Sequence, residues 1–145
     1  MMVSTRGRYA LRVMLDLAEQ NTSDYIPLRE IAERQEISEK YLESILKILV
    51  RNDLLEGMRG KGGGYRLTCA PETCSVGSIL RLTEDSLAPV ACLEGQEVGC
   101  HRKDFCPTLP MWRKLDTMIN DFLDGITLAD LMSDSETQPS AQNAD

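Results

Sequence analysis

Apolar residues recur at three- and four-residue spacing between Ser38 and Arg51, and this spacing predicts an amphipathic helix. The apolar stripe consists of Tyr41, Leu42, Ile45, Leu46, Leu49 and Val50. The opposite side consists of Glu39, Lys40, Glu43, Ser44, Lys47 and Arg51. Ser38 is a suitable N-cap, because its hydroxyl can accept a hydrogen bond from an otherwise unpaired amide of the first turn. We therefore expect a helix with one buried face and one charged face in solvent.

Two short strands separated by a glycine-rich turn follow this helix. Leu54 to Met58 and Tyr65 to Leu67 have strand character, and the turn contains Gly60, Gly62, Gly63 and Gly64. Glycine permits positive φ and lets the backbone lie close to another surface. The flanking cations are Arg59, Lys61 and Arg66. Such a tip suits a phosphate backbone or the floor of a groove, and the alternative is a surface turn whose charges only keep the protein soluble.

Two helices are predicted before this unit. Thr5 to Arg8 begins the first, whose apolar face is wide enough to be buried against more than one neighbour. A short helix from Leu28 to Gln35 is followed by the connection Glu36 to Ser38. A short helix, a three-residue turn and a second helix form a helix-turn-helix, and the hairpin makes it a winged version. In such units the second helix enters the major groove and the wing contacts the flanking DNA.

The second half of the chain predicts three more helices. Ser75 caps one, a long helix follows Pro110 and ends at Gly125, and a capping box from Thr127 to Asp130 opens a short last helix. The predicted fold is mainly α with a small β-hairpin wing. It divides into a winged helix-turn-helix domain (1–84), a cysteine loop (85–109), C-terminal dimerisation helices (110–133) and a flexible tail (134–145).

The long helix has an apolar face that needs a partner. Its stripe consists of Trp112, Leu115, Ile119, Phe122 and Leu123, with Met111 and Met118 nearby. One possibility is packing on the N-terminal helix of the same chain. We expect instead that this helix crosses to a second copy and forms a homodimer.

Charge is distributed unevenly along the 145 residues, whose net charge is −7. Residues 1–67 carry eleven Lys and Arg against ten Asp and Glu, and the remainder carries five against thirteen. DNA binding would therefore rely on a small basic face of a protein that repels phosphate as a whole. The apolar runs are too short to span a bilayer, and the N-terminus lacks the apolar core of a secretion signal, so we expect no membrane association and a cytoplasmic location.

Five cysteines cannot all pair within the chain. Cys69 and Cys74 are interpreted as structural, because cysteine is among the most frequently buried residue types. The other three, Cys92, Cys100 and Cys106, lie in a polar segment with Gly95 and Gly99. Thiolates at this density suit soft metals and iron–sulfur clusters. From the residues alone, a cluster, a zinc ion, a thiol redox switch and idle cysteines remain open.

The sequence resembles the Rrf-type family of winged-helix transcription regulators, which includes the iron–sulfur regulator IscR, the nitric-oxide sensor NsrR and the cysteine-metabolism repressor CymR. The resemblance runs from Ser4 to about Met132. It is carried by the segments Ser4–Arg12, Ile31–Arg34, Ile37–Glu43, Arg59–Tyr65 and Ile126–Leu131. It implies a homodimeric regulator that binds double-stranded DNA at a palindromic operator.

The resemblance also implies roles for individual residues. Lys40, Glu43 and Ser44 on the helix and Arg59 and Lys61 on the wing would contact the operator. Arginine suits guanine, and glutamate can accept from a cytosine amino group. Thr5, Arg6 and Arg8 are candidate phosphate contacts, although Arg8 fits a simple exposed cation at a helix start equally well. The complete predicted DNA-binding set is Thr5, Arg6, Arg8, Ser38, Lys40, Tyr41, Glu43, Ser44, Lys47, Arg59, Lys61, Gly62, Gly63, Gly64 and Tyr65.

For the cysteine loop, the resemblance implies an iron–sulfur cluster with two or four irons, held by Cys92, Cys100 and Cys106. The fourth ligand is not identified. Leu109 and Arg8 occupy the positions that supply a histidine or an aspartate in two branches of the family. The remaining candidates are His101, Asp104, Glu94, Glu97, a small thiol and a solvent molecule.

Two other classes of function compete with a cluster-containing regulator. One is a cluster-free regulator of the same family that responds to a thiol switch, a small effector or a protein partner. The other is a metal carrier or redox enzyme built on a helical scaffold. The sequence contains no apparent catalytic acid–base pair or cofactor-binding loop, so we do not expect an enzyme.

Overall fold

The structure, a computed structural model, describes residues 3–95 and 100–137, with the side chains of 135–137 excepted. Its helices are α1 (Thr5–Glu19), α2 (Leu28–Gln35), α3 (Glu39–Arg51), α4 (Val76–Thr83), α5 (Leu109–Asp124) and α6 (Leu128–Thr137). The strands β1 (Leu55–Met58) and β2 (Gly64–Leu67) form an antiparallel hairpin, and a 3-10 turn covers Ala91–Leu93. This order confirms a mainly α fold with a winged helix-turn-helix and a long helix near the C-terminus.

The predicted element bounds differ from the observed ones in four places, and one of them is the start of α5, which begins at Leu109 and so contains Pro110. The strand β1 begins one residue later than predicted, and β2 begins one residue earlier, at Gly64. Helix α6 continues to Thr137, into the segment predicted to be a tail. The rest of that predicted tail, residues 138–145, lies outside the described residues, as does Glu97.

Helix α1 lies at the centre of the fold. It contacts α2, α3, α4, α6 and β2, and Ala10, Val13 and Met14 are completely buried. Burying a side chain of the size of Val13 or Met14 contributes about 1.5–3 kcal/mol. The wide apolar face of the sequence is thus explained by several neighbours around one helix.

The start of α1 is fastened to the end of α4. Ser4 caps α1 by accepting a hydrogen bond from Gly7 N (3.0 Å), and its own hydroxyl donates to Glu84 Oε1 (2.6 Å). A Cβ at Gly7 would lie 2.1 Å from the same Glu84 oxygen. Gly7 is therefore required for this close approach.

A buried carboxylate fixes α2 against α1. Asp16 is only 3% exposed, and it accepts hydrogen bonds from Arg34 Nη2 (2.8 Å), Arg34 Nε (3.0 Å) and Gln35 Nε2 (2.8 Å). Asp16 of α1 therefore holds the C-terminal end of α2 in place. The turn that follows contains Glu36 in the left-handed region (φ 55°) and buries Ile37.

The C-terminal helices pack back on the N-terminal unit. Thr127 and Asp130 form the predicted capping box, with Asp130 Oδ2 accepting from Thr127 N at 2.9 Å and Thr127 Oγ1 accepting from Asp130 N at 3.2 Å. Leu128 of α6 is completely buried in the core that α1 and α3 share. Helix α5 contacts α4 and the 3-10 turn. Within the described residues, no helix is long and apolar enough to cross a membrane.

Candidate nucleic-acid interface and cysteine loop

Helix α3 has the predicted orientation. Ser38 Oγ accepts from Tyr41 N (3.2 Å), which caps the helix. Four residues of its stripe are completely buried, namely Leu42, Ile45, Leu46 and Leu49. The opposite face is exposed along its whole length and consists of Glu39, Lys40, Glu43, Ser44, Lys47 and Arg51. The helix is therefore held by its apolar side and presents its polar side to solvent.

Not every side chain on the polar face is equally free. Ser44 Oγ donates to the carbonyl of Tyr41 (2.6 Å), so this hydroxyl is engaged within the helix. Lys47 and Glu43 form an exposed ion pair at 3.8 Å, and exposed pairs of this type contribute little energy and exchange readily. Tyr41 itself is half-buried, with its ring edge-on to Tyr9 at a centroid distance of 5.8 Å.

The wing, defined as residues 55–67, is held at its base. Ile26 and Tyr65 exchange two backbone hydrogen bonds of 2.8 Å, which adds a third short segment to the hairpin. A Cβ at Gly64 (φ 148°) would lie 2.1 Å from Ile26 O. Gly64 is therefore the residue that permits this contact, which positions the wing.

The tip of the wing is open. Gly60 and Gly62 have positive φ, and Gly63 N donates to Gly60 O at 3.0 Å. Arg59 and Lys61 are exposed and form no ion pair with any described residue. These two cations are thus available to a polyanion.

Arg66 differs from the other two wing cations. It pairs with Glu56 (2.8 Å), donates to the carbonyl of Ser23 (3.1 Å) and lies over the Tyr25 ring at 4.4 Å. Its guanidinium therefore ties the wing to the loop before α2.

Helix α3 and the wing border one concavity of about 400 Å³. Its lining residues are Glu43, Lys47, Val50, Arg51, Gly57, Met58, Arg59 and Tyr65. Two of the candidate contacts, Glu43 of the helix and Arg59 of the wing, therefore border the same surface. Tyr65 forms part of the floor, with its ring over Gly57.

The N-terminal candidates have different surroundings. Arg6 Nη2 donates to the carbonyl of Thr83 at 2.9 Å, which links α1 to the end of α4. Arg8 Nη2 donates to Thr5 Oγ1 at 3.2 Å, and both side chains are exposed. Arg6 thus has a structural contact that the sequence did not indicate. Among the described residues, the Arg8 guanidinium and the Thr5 hydroxyl are hydrogen-bonded to each other and to no other side chain.

The three cysteines of the loop occupy different local settings. Cys92 lies in the 3-10 turn, Cys100 Sγ accepts from Arg102 N at 3.4 Å, and Cys106 Sγ lies 3.3 Å from Thr108 Oγ1. Cys106 lies three residues before the first residue of α5. Hydrogen bonds from the Thr108 side chain and from the backbone there lower the pKa of its thiol. All three are half-buried.

The described residues do not include a group of three Cys, His, Asp or Glu side chains placed to hold one metal ion. Thiol sulfur is a ligand that suits a soft metal. These thiols are accessible, and two of them accept or share hydrogen bonds. Their arrangement does not converge on one point, and residues 96–99 between Cys92 and Cys100 lie outside the described part. Leu109 is buried, and His101 and Asp104 are exposed.

Comparison with known proteins identifies the family. The sequence pattern of the Rrf2 family, described as "Iron-dependent Transcriptional regulator", matches residues 3–134. The HTH-type transcriptional regulator IscR of Aliivibrio salmonicida is 41% identical over 138 residues, covering 95% of this chain and 81% of that protein. A second IscR, from Erwinia tasmaniensis, is 40% identical over 136 residues, covering 94% of this chain and 81% of that protein.

Solved structures agree with the sequence comparison. A structure of T. potens IscR superposes with a TM-score of 0.74 at 33% identity, covering 100% of this chain and 97% of that one. The structure of CymR, the global cysteine regulator of B. subtilis, gives a TM-score of 0.75 at 32% identity, covering 92% and 97%. The exposed α3 face, the open wing and these relatives lead to one conclusion: the chain belongs to the Rrf2 family and is a DNA-binding transcription regulator rather than an enzyme.

Proposed function

We propose that this regulator acts as a homodimer that reads a palindromic operator with the exposed face of α3 and the tip of the wing. The observation that carries this proposal is the shared concavity, because it puts Glu43, Lys47 and Arg59 around one surface. A regulator with this partner works in the compartment that contains the DNA, which is the cytoplasm of a bacterial cell.

Each candidate contact has a chemical role. The fork of Arg59 suits the two acceptors of guanine, and Glu43 can accept from a cytosine amino group once Lys47 moves to a phosphate. Lys40 and Lys61 supply positive charge at the two ends of the surface. Because the whole chain carries a net charge of −7, these few cations must account for most of the attraction to DNA.

The N-terminal side chains of α1 supply further phosphate contacts. Thr5 and Arg8 are exposed and bonded only to each other through the groups described above, so both can turn to a phosphate. Arg6 keeps its bond to the Thr83 carbonyl and has further N–H donors available. These contacts would position the protein without reading sequence.

The dimer interface is proposed to be the open side of α5. Met111, Leu115, Met118 and Phe122 follow one another at helical spacing, and all four are exposed. Two such helices crossing about a two-fold axis would bury this stripe. A palindromic operator requires two α3 helices about one turn of DNA apart, roughly 34 Å.

The cysteine loop is proposed to hold an iron–sulfur cluster through Cys92, Cys100 and Cys106, with a fourth ligand from outside this set. Three accessible thiols in one loop and relatives named IscR support this proposal. Assembly requires the loop to rearrange, since the described residues do not converge on one point. A bound cluster would supply redox chemistry sensitive to oxidants and to iron supply.

The position of these thiols explains how the loop can influence DNA binding. Cys106 lies three residues before α5, and Cys92 lies in the 3-10 turn that packs on α5. A change in the ligands or bonds of these thiols would therefore move α5, the helix proposed to set the distance between the two DNA-binding units. A coupling of about 1–3 kcal/mol would change operator affinity by about five- to 150-fold.

DNA binding is tested with Arg59→Ala and with Lys103→Ala as a control of equal charge change on an exposed loop cation. We expect Arg59→Ala to weaken binding to DNA from upstream of its own gene by about 1–3 kcal/mol and to relax sequence preference. Fluorescence anisotropy at fixed salt, with a specific and a scrambled duplex, measures the affinity and the sequence preference. Equal losses in the two variants, or equal binding to both duplexes, would contradict the proposed reading surface.

The cluster is tested by iron and sulfide analysis with visible absorption on protein isolated without oxygen. We expect Cys92→Ala, Cys100→Ala and Cys106→Ala to lose iron and colour, while Cys69→Ala keeps both. The alternative is a cluster-free regulator with a thiol switch, for which the lowered pKa of the Cys106 thiol is suited. A colourless wild-type protein that still binds its operator would select that alternative.

A further inference from the structure

Cys69 and Cys74 flank a tight turn that turns them toward each other. Thr73 N and Thr73 Oγ1 both donate to the carbonyl of Ala70 at 3.0 Å. A four-residue turn closed in this way places the residues on either side of it opposite one another, as in a short hairpin. A disulfide can form only between cysteines whose backbones lie close together and whose side chains face each other.

The two cysteines belong to the same apolar cluster but are not equivalent. Cys74 is 3% exposed and belongs to the main core, whereas Cys69 is half-buried at the edge of that core. A hydrogen bond from the Cys74 thiol lowers the pKa of Cys69 to about 7 and raises the pKa of Cys74. Cys69 is therefore the nucleophile of the pair, and Cys74 stays protonated beside it.

A path from solvent reaches Cys69. This residue lines a cavity of about 290 Å³ together with Leu17, Asn21, Asp24, Arg66 and Pro71. The cavity is open to the surface near the base of the wing. A molecule as small as a peroxide can therefore approach the sulfur of Cys69, while Cys74 is shielded behind it.

We propose that Cys69 and Cys74 form a peroxide-oxidisable thiol pair, a second redox site separate from the cysteine loop. The Cys69 thiolate attacks one oxygen of hydrogen peroxide, forming an S–O bond and breaking the O–O bond. The product is a sulfenic acid, and hydroxide leaves. Cys74 sulfur then attacks Cys69 sulfur, so that an S–S bond forms, the S–O bond breaks, and the thiol proton leaves with hydroxide as water. The sulfurs lose two electrons in total, and the peroxide accepts both.

The resulting bond would lie between two parts of the fold, the base of the wing and the start of α6. Thr68, which precedes Cys69, donates through its backbone to Leu54 O (3.1 Å) at the base of the wing. On the other side, the carbonyls of Pro71 and Cys74 accept from Ala129 N (3.1 Å) and Leu128 N (3.0 Å) at the start of α6. The thiol chemistry itself does not depend on the proposed DNA reading, so either can fail without the other.

The test uses the full wild-type chain and its tryptic peptide Leu67–Arg81, which contains both cysteines of the pair and none of the loop. The protein is treated with hydrogen peroxide at equimolar concentration, alkylated with N-ethylmaleimide and digested. We expect this peptide to lose the mass of two hydrogen atoms and to carry no alkyl group. Dithiothreitol should restore two alkylatable thiols. A peptide that still carries two alkyl groups after peroxide would overturn the proposal.

Two variants assign the order of events. In Cys74→Ser, dimedone should trap a sulfenic acid at Cys69, whereas Cys69→Ser should show no adduct at Cys74 under the same dose. In the untreated wild type, alkylation of Cys69 should exceed that of Cys74 by about tenfold or more at neutral pH. Its rate should rise with pH with a midpoint at about 7. Equal alkylation rates, or a disulfide to another chain in place of the internal one, would contradict the assignment.

Discussion

Helices α3 and α5 carry similar apolar stripes, yet the described chain covers only the stripe of α3. Leu42, Ile45, Leu46 and Leu49 of α3 are all 0% exposed. On α5 the exposed fractions are 53% for Met111, 37% for Leu115, 67% for Met118 and 66% for Phe122. Large side chains are rarely left in solvent as a continuous row. The apolar face of α3 is therefore covered by the described chain, whereas this row on α5 is left exposed by it.

The predicted stripe of α5 is in fact divided between two sides of the helix. Trp112, Ile119 and Leu123 are half-buried, and Leu123 packs against the small cluster of Val76, Leu80 and Leu87. The remaining apolar residues face away from the described chain. One side of α5 thus packs on α4, and the other side is the one proposed above as the dimer interface.

The largest expected effect contrasts one leucine from each stripe. Leu46→Ala should lower the free energy of unfolding by about 3 kcal/mol, because it leaves a cavity in a completely buried site. Leu115→Ala should lower it by less than about 1 kcal/mol in dilute protein, since that side chain is already in solvent. Urea unfolding at two protein concentrations measures both. If Leu115→Ala lowers the free energy of unfolding by the same amount at both protein concentrations, α5 packs within its own chain.

Helices whose ends are marked by capping residues or by other residues nearby in the sequence could be predicted. Helix α2 has the predicted bounds, and the caps at Ser38 and Ser75 and the box at Thr127 act within a few residues. The outward face of α3 follows from its period alone. These features depend on neighbours in sequence, and a sequence displays them directly.

Contacts between distant residues were missed. The Ser4–Glu84 hydrogen bonds and the Ile26–Tyr65 bridge join segments with no shared pattern. Asp16 could have been suspected, because it is a carboxylate inside the apolar run Leu15–Ala18. The assembly of the cysteine loop and the roles of single residues in DNA binding remain predictions, since both depend on groups outside the chain.

The second prediction tests the open side of α5 directly. Phe122→Asp should raise the dimer dissociation constant by about thirtyfold, or about 2 kcal/mol, because a charge would be buried among apolar side chains. Thr117→Asp is the matched control, since it adds the same charge at an exposed position outside the stripe. Sedimentation equilibrium measures both variants. An unchanged dimer in Phe122→Asp, or equal weakening by the control, would assign the interface to another surface.

The smallest expected effect concerns the covered side of α5, where Arg81 of α4 donates to Asp124 at 2.6 and 3.0 Å and to Asn120 at 2.7 Å. Arg81 lowers the pKa of Asp124 below its ordinary value of 3.8. The ion pair therefore stabilises the fold at pH values above that range, and the stabilisation is lost as the pH falls through the lowered pKa. Arg81→Ala should unfold at a slightly lower temperature than the wild type at neutral pH, since exposed pairs contribute little. The two melting temperatures should converge in acid, whereas a difference that persists there would assign the contact to packing of the Arg81 stem.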